Sequence, residues 1–138
     1  ICHLLNNPHA YAKVRAEVDN VLKGEPIRPE HFGKLPYITA VLQETLRLTP
    51  SIPVFGLEAI EDEIVTSEGK QYLIPEDVCI LVFVTQLHKD TSVWGEDVDV
   101  FRPERMLDGG FERTPDNAWK PWGNGARACI GRCVINTN

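Results

Sequence analysis

The sequence predicts an α+β chain, mainly α. Three observations lead there. Two segments, one opening at Asn7-Pro8 and one at Pro36, carry apolar residues at helical spacing after a proline suited to a first turn. Strand-like runs follow between Val54 and Val84. From His88 to Pro121 the chain is rich in proline, glycine and aspartate, which suits an irregular but packed meander.

The elements follow in order. Ile1-Cys2-His3-Leu4-Leu5 is apolar and has no cap before it, so it reads as the cut end of a longer helix. Asn7-Pro8 starts a helix with Ala10, Val14, Val18 and Val21 on one face, and Gly24 lies just past its end. Glu25 to Gly33 reads as a loop with a short helical turn. In the second helix Ile38, Val41, Leu42 and Thr45 form the apolar stripe, and Pro50 stops the run. Pro50-Ser51-Ile52-Pro53 predicts an extended entry to a strand over Val54 to Ile60. Glu63 to Thr66 and Tyr72 to Ile74 read as a hairpin around Ser67-Glu68-Gly69-Lys70. Val78 to Val84 is a continuous apolar run, either a buried strand or a strand leading into a short helix.

The 138 residues are 43% hydrophobic and 25% charged, as expected of one globular domain. A net charge of −6 and the lack of a basic stripe argue against nucleic-acid binding. No run of about 20 apolar residues suggests a membrane span. Cys2, Cys79, Cys129 and Cys133 are unevenly spaced, so no disulfide framework is expected. His3, His9, His31 and His88 share no metal-ligand spacing and read as surface or capping histidines. Cys129-x-x-x-Cys133 has neither the second pair nor the histidine that zinc would need.

Trp122-Gly123-Asn124-Gly125-Ala126-Arg127-Ala128-Cys129-Ile130-Gly131 is the most informative run. It sets one cysteine between glycine turns, two residues after an arginine. A free thiol has a pKa of about 8.5, and a metal, a cation or a helix N-terminus lowers it. Arg127 supplies a cation, and Ile130-Gly131-Arg132 reads as a helix start with free N–H groups toward the sulfur. Such a loop aims a thiolate at a metal. For a lone cysteine the alternative is a small core residue in a glycine-rich turn.

The run resembles the haem-ligand loop of the cytochrome P-450 family, the haem-thiolate monooxygenases. The pattern is aromatic-x-x-Gly-x-Arg-x-Cys-x-Gly, with Trp122 where the family usually has Phe. The resemblance implies Cys129 as axial ligand to haem iron and as the catalytic residue. It implies Arg127 on a haem propionate, Trp122 packed beside the sulfur, and Gly123, Gly125, Ile130 and Gly131 against the cofactor. Glu44-Thr45-Leu46-Arg47 and Pro103-Glu104-Arg105 fit the same family. On its own Glu-x-x-Arg is an exposed surface pair. By resemblance Glu44, Arg47 and Arg105 form a buried three-way ion pair that holds the region beneath the haem. Ile52 and Val54 stand where a substrate-lining turn follows Glu-x-x-Arg, with core packing as the other reading. Phe55 lies near a position where many members carry a basic residue for a propionate.

The similarity runs from about Asn7 to Arg132. Gln86 to Asp90, Val93-Trp94-Gly95, Phe101 to Arg105 and Trp119-Lys120-Pro121 look like the fatty-acid-hydroxylating members fused to their own reductase. The implied fold is the C-terminal part of the cytochrome P-450 fold: helices, a small β-sheet, the meander and the ligand loop. The implied cofactor is haem b, with NADPH and flavins acting only through a reductase, fused or separate. The implied reaction inserts one oxygen atom of O2 into a C–H bond of an apolar small molecule, a fatty acid by this likeness. A reductase-fused member is expected in the cytoplasm, while a missing N-terminal segment leaves membrane attachment open. Cys133 to Asn138 is unlike the long apolar helix that follows the loop in the family. Residues 1–138 are therefore expected to be a partial domain, truncated at both ends and inactive by itself. The alternatives are a non-catalytic remnant of such an enzyme, or a haem-thiolate isomerase or peroxygenase.

Overall fold

Proline opens both long helices. Residues 1–132 are described by the structure, a computed structural model. The short helix α1 (Cys2–Leu5) is followed by α2 (Pro8–Leu22) and α3 (Pro36–Leu48). In each long helix proline occupies the first turn, where its missing N–H leaves no hydrogen bond unmade. Asn7 does not cap α2 with its side chain; its Nδ2 donates instead to the His3 carbonyl at 2.7 Å. Lys23 (φ 50°) and Gly24 (φ 86°) end α2 in the left-handed region. A 310 turn, Pro29–Lys34, joins α2 to α3, and the His31 ring accepts the Arg28 N–H as a cap.

The start of α3 is capped from another helix. The Glu17 carboxylate on α2 accepts the N–H of Tyr37 at 2.8 Å and of Ile38 at 2.9 Å. These are N–H groups that a helix cannot satisfy internally. Glu17→Ala is expected to cost about 1–2 kcal/mol, the scale of a lost cap, read as a lower urea midpoint at unchanged slope.

The buried face of α3 differs from the stripe expected at Ile38, Val41, Leu42 and Thr45. Tyr37, Ala40, Val41, Glu44 and Arg47 are buried, while Leu42 is 54% exposed. The physical reason is the ion pair: two charged residues hold buried positions, which apolar periodicity cannot register.

Strand β1 (Val54–Glu58) pairs antiparallel with β4 (Cys79–Phe83), from Val54 opposite Phe83 to Glu58 opposite Cys79. Strands β2 (Glu63–Ser67) and β3 (Lys70–Ile74) form a separate hairpin. Its turn has two residues, Glu68 (φ 51°) and Gly69 (φ 75°), tighter than the four-residue turn expected. Both φ angles are positive, the geometry that matches strand twist in a hairpin. Residues Ser51 to Pro53 bend rather than extend before β1, which ends two residues short of Ile60. β4 leads into α4 (Val84–Leu87), as one of the two readings had it, but the strand is not buried: Leu81 and Phe83 are 56% and 55% exposed.

From His88 to Pro121 the chain winds through α5 (Thr91–Trp94), a 310 turn at Pro103–Met106, and a series of turns. The core lies where this meander covers α3. Ala40, Trp94, Val98 and Met106 form its centre, flanked by Leu107, Phe111 and Trp119. Phe111 meets Trp119 edge-on, with centroids 5.0 Å apart.

Candidate haem-ligand loop and its support

Glu44 and Arg47 are both fully buried on α3. Arg47 grips the Glu44 carboxylate with Nε at 2.7 Å and Nη2 at 2.8 Å, a bidentate pair. Arg105 donates its Nε to the same carboxylate at 2.9 Å, and the Arg102 backbone N–H adds a fourth bond at 3.1 Å. So the structure brings Glu44, Arg47 and Arg105 together. A trio of one anion and two cations would leave positive charge in excess. Asp97 offsets it in part, accepting from Arg105 Nη1 at 3.3 Å, and it also pairs with Arg102 at the rim. The hydrogen bond from Arg105 holds the Asp97 carboxyl below the usual carboxylate range. Sequence reasoning missed Asp97, because nothing in its neighbourhood marks it.

Further guanidinium hydrogens reach main-chain carbonyls. Arg47 Nη1 donates to His88 at 2.9 Å, and Arg105 donates to Trp94 at 2.9 Å and to Asp97 at 3.0 Å. The Arg47 guanidinium also lies 5.4 Å from the Trp94 ring centroid, within cation–π range.

His88 corrects the sequence reading most sharply. It is not a surface or capping histidine: it is 0% exposed. Its Nδ1 lies 3.2 Å from the Arg47 carbonyl, and its Nε2 accepts the Lys120 N–H at 2.8 Å. Burial, reinforced by the nearby Arg47 charge, holds the ring below the usual histidine value. Sequence separation hid it, since its partners lie 41 and 32 positions away.

The loop follows directly. Trp119 Nε1 donates to the Gln43 carbonyl of α3 at 3.2 Å, and Pro121 is buried. The Cys129 N–H donates to the Trp122 carbonyl at 2.8 Å, closing residues 122–129 into a loop. Gly123 (φ 67°) and Gly125 (φ 65°) take the left-handed conformation that glycine adopts without a Cβ penalty. Gly125–Arg127 forms a 310 turn that carries Arg127 to the surface. Gly131 has no such backbone need, since its φ is not positive, and a Cβ there would meet Cys129 Sγ at an ordinary 3.5 Å. Ile130 and Gly131 form a turn, and Arg132 has helical backbone. Cys133 to Asn138, on which the truncated-tail and zinc readings bore, lie outside the described residues.

Cys129 is a free, exposed thiol and therefore not a small core residue. Ile130 beside it is 95% exposed, and a Cβ on Gly123 or Gly125 would meet no atom within 4 Å. Trp122 is half-buried, at the root of the loop. Thiol, apolar side chain and open glycine backbone form one exposed surface, with the Arg127 cation two residues from the thiol. Among the described residues no group of three or more His, Cys, Asp or Glu could hold a metal ion. Ile52 and Val54 sit on the bend before β1 and at its first residue, apart from the loop in sequence. At 58% and 37% exposure they are not core residues.

A meander docked on a Glu-x-x-Arg helix is followed by a closed loop that presents one exposed thiol. The chain belongs to the cytochrome P450 family, whose pattern matches residues 1–134. The helices, small antiparallel sheets and meander are part of that family's fold. The chain is similar to a bifunctional cytochrome P450/NADPH–P450 reductase of Fusarium oxysporum, 52% identical over 132 residues. It is also similar to a self-sufficient cytochrome P450 monooxygenase of Phanerodontia chrysosporium (47% over 130 residues). A bifunctional cytochrome P450/NADPH–P450 reductase of Aspergillus oryzae is 45% identical over 135 residues. Each match covers 94% of this chain and 12% of the relative, so the chain spans about an eighth of their length. No helix among the described residues is long and apolar enough to cross a membrane.

Proposed function

We propose that this chain forms the thiolate side of a haem-dependent monooxygenase. The observation that carries the reading is the exposed Cys129 thiol on the loop closed between Trp122 and Cys129. Family membership and the reductase-fused relatives support it.

In this reading Cys129, as thiolate, would hold haem b through its iron and would lend it electron density. Bound haem supplies O2 activation and insertion of one oxygen atom into a C–H bond. The protein supplies binding, orientation and electrostatics. Arg127 pairs with a propionate, and Trp122, Gly123, Gly125, Ile130 and Gly131 bound the cofactor face. Glu44, Arg47 and Arg105 keep the meander docked so that the loop has a fixed base. Electrons come from NADPH through a flavin-bearing reductase, fused or separate, and a reductase-fused enzyme works in the cytoplasm.

The substrate in this reading is a medium- or long-chain fatty acid. Its ground is the likeness from Gln86 to Arg105 and the exposed apolar Ile52 and Val54. The test is a turnover screen of the intact enzyme with NADPH and reductase. Hydroxylated fatty acids are the expected products. Turnover of steroids or small aromatics with none of fatty acids would overturn the substrate. Failure to couple NADPH oxidation to any hydroxylation would overturn the monooxygenase reading.

A further inference from the structure

We propose that His88 is a positioning residue for the ligand loop: its ring ties the Arg47 carbonyl to the Lys120 amide and so sets where the chain enters the segment carrying Cys129. The inference rests on the reading of Cys129 as haem ligand.

The two partners dictate the state of the ring. A backbone N–H can only donate and a carbonyl can only accept. Nε2 must therefore offer its lone pair to Lys120 at 2.8 Å, and Nδ1 must carry the proton toward Arg47 O at 3.2 Å. Only the neutral Nδ1–H tautomer serves both. A doubly protonated ring would turn an N–H against the Lys120 N–H, and the tie would open.

The surroundings favour the neutral ring. The charge that bears on it is Arg47, whose guanidinium binds the His88 carbonyl at 2.9 Å and is itself held by Glu44. Trp119 stacks on the ring, with centroids 6.5 Å apart and an interplanar angle of 16°. The neighbouring Lys89 is paired with Asp99, and Lys120 meets the ring through its backbone. Folding thus lowers the affinity of His88 for a proton. Between the ordinary histidine value, about 6.5, and the lower folded value, the unfolded chain binds more protons. The contribution of His88 is full above that window and is lost as pH falls through it.

The tie acts on the loop because little slack separates them. Lys120 precedes the buried Pro121, and Trp122 is already bonded to Cys129. Trp119 gives a second anchor through Gln43, so losing the His88 tie loosens the loop entrance without undocking the segment.

Two variants of the intact enzyme separate the two bonds. His88→Gln keeps an acceptor for Lys120 and has no titratable ring. His88→Asn keeps a donor for Arg47 and abandons Lys120. Two readouts apply: amide exchange at Lys120 in the haem-free protein, and the thiolate-type spectrum of the reduced carbon-monoxide complex, each against pH. In wild type both should be lost together on acidification, with a shared midpoint below about 6.5. His88→Gln should keep both through that range. His88→Asn should exchange the Lys120 amide about tenfold faster, the scale of one lost buried hydrogen bond, and lose the thiolate form at neutral pH. If His88→Asn keeps wild-type protection and spectrum, or His88→Gln keeps the wild-type acid profile, the positioning role is wrong. Should neither variant fold, the nitrogen resonances of wild-type His88 decide: a proton on Nδ1 supports the tie and one on Nε2 overturns it. A wild type lacking the thiolate-type spectrum at every pH overturns the ligand assignment instead, while the exchange data still test the tie.

Discussion

Glu44→Ala is expected to cost about 3–5 kcal/mol of stability and to strip haem from the intact enzyme. The Glu44 carboxylate gathers four N–H donors from Arg47, Arg102 and Arg105. Alanine leaves the fully buried Arg47 with no anion in contact, and Arg105 with only Asp97. An uncompensated buried charge is costly because the interior cannot solvate it. Domains are stable by about 5–15 kcal/mol, so such a loss is a large share of the total. Urea midpoint and haem retained per mole of protein measure it. Glu44→Gln separates charge from space, since it fills the same volume while turning an amide N–H toward other donors. Unchanged midpoint and full haem in Glu44→Ala would show that the cluster supports nothing.

Cys129→Ser should do the reverse: abolish the thiolate-type spectrum and activity while leaving the fold intact. The thiolate, not the thiol, is the form of cysteine that binds a metal. A serine hydroxyl offers no comparable anion at neutral pH. Because Cys129 is exposed, the substitution should move stability by no more than about 0.5 kcal/mol. A Cys129→Ser enzyme that keeps the spectrum would sink the ligand assignment. Together the two variants separate the ligand from its foundation.

What the sequence made legible was local. Pro8 and Pro36 marked the helix starts because proline's fixed φ suits a first turn. Glu68-Gly69 marked the hairpin because glycine accepts the positive φ its turn needs. The spacing of Gly125, Arg127, Cys129 and Gly131 marked the loop. What stayed illegible depended on partners far along the chain. Apolar counting put Leu42 on the buried face of α3 because it could not see that Arg105, 61 positions away, neutralises Glu44. His88 was read as a surface residue for the same reason, and Asp97 was not singled out.

The pairing of β1 with β4 has a consequence for engineering. The two strands meet across an interval that contains the whole β2–β3 hairpin. Every hairpin residue except Ile74 is exposed. Loop-closure entropy grows only with the logarithm of length, about 0.6 kcal/mol per doubling. The stretch around Glu68-Gly69 can therefore carry a grafted peptide, a dye-labelling tag or a surface tether while β1, β4 and the cysteine loop keep their places. The hairpin is a handle by which this chain can be tethered without breaking the β1–β4 pairing.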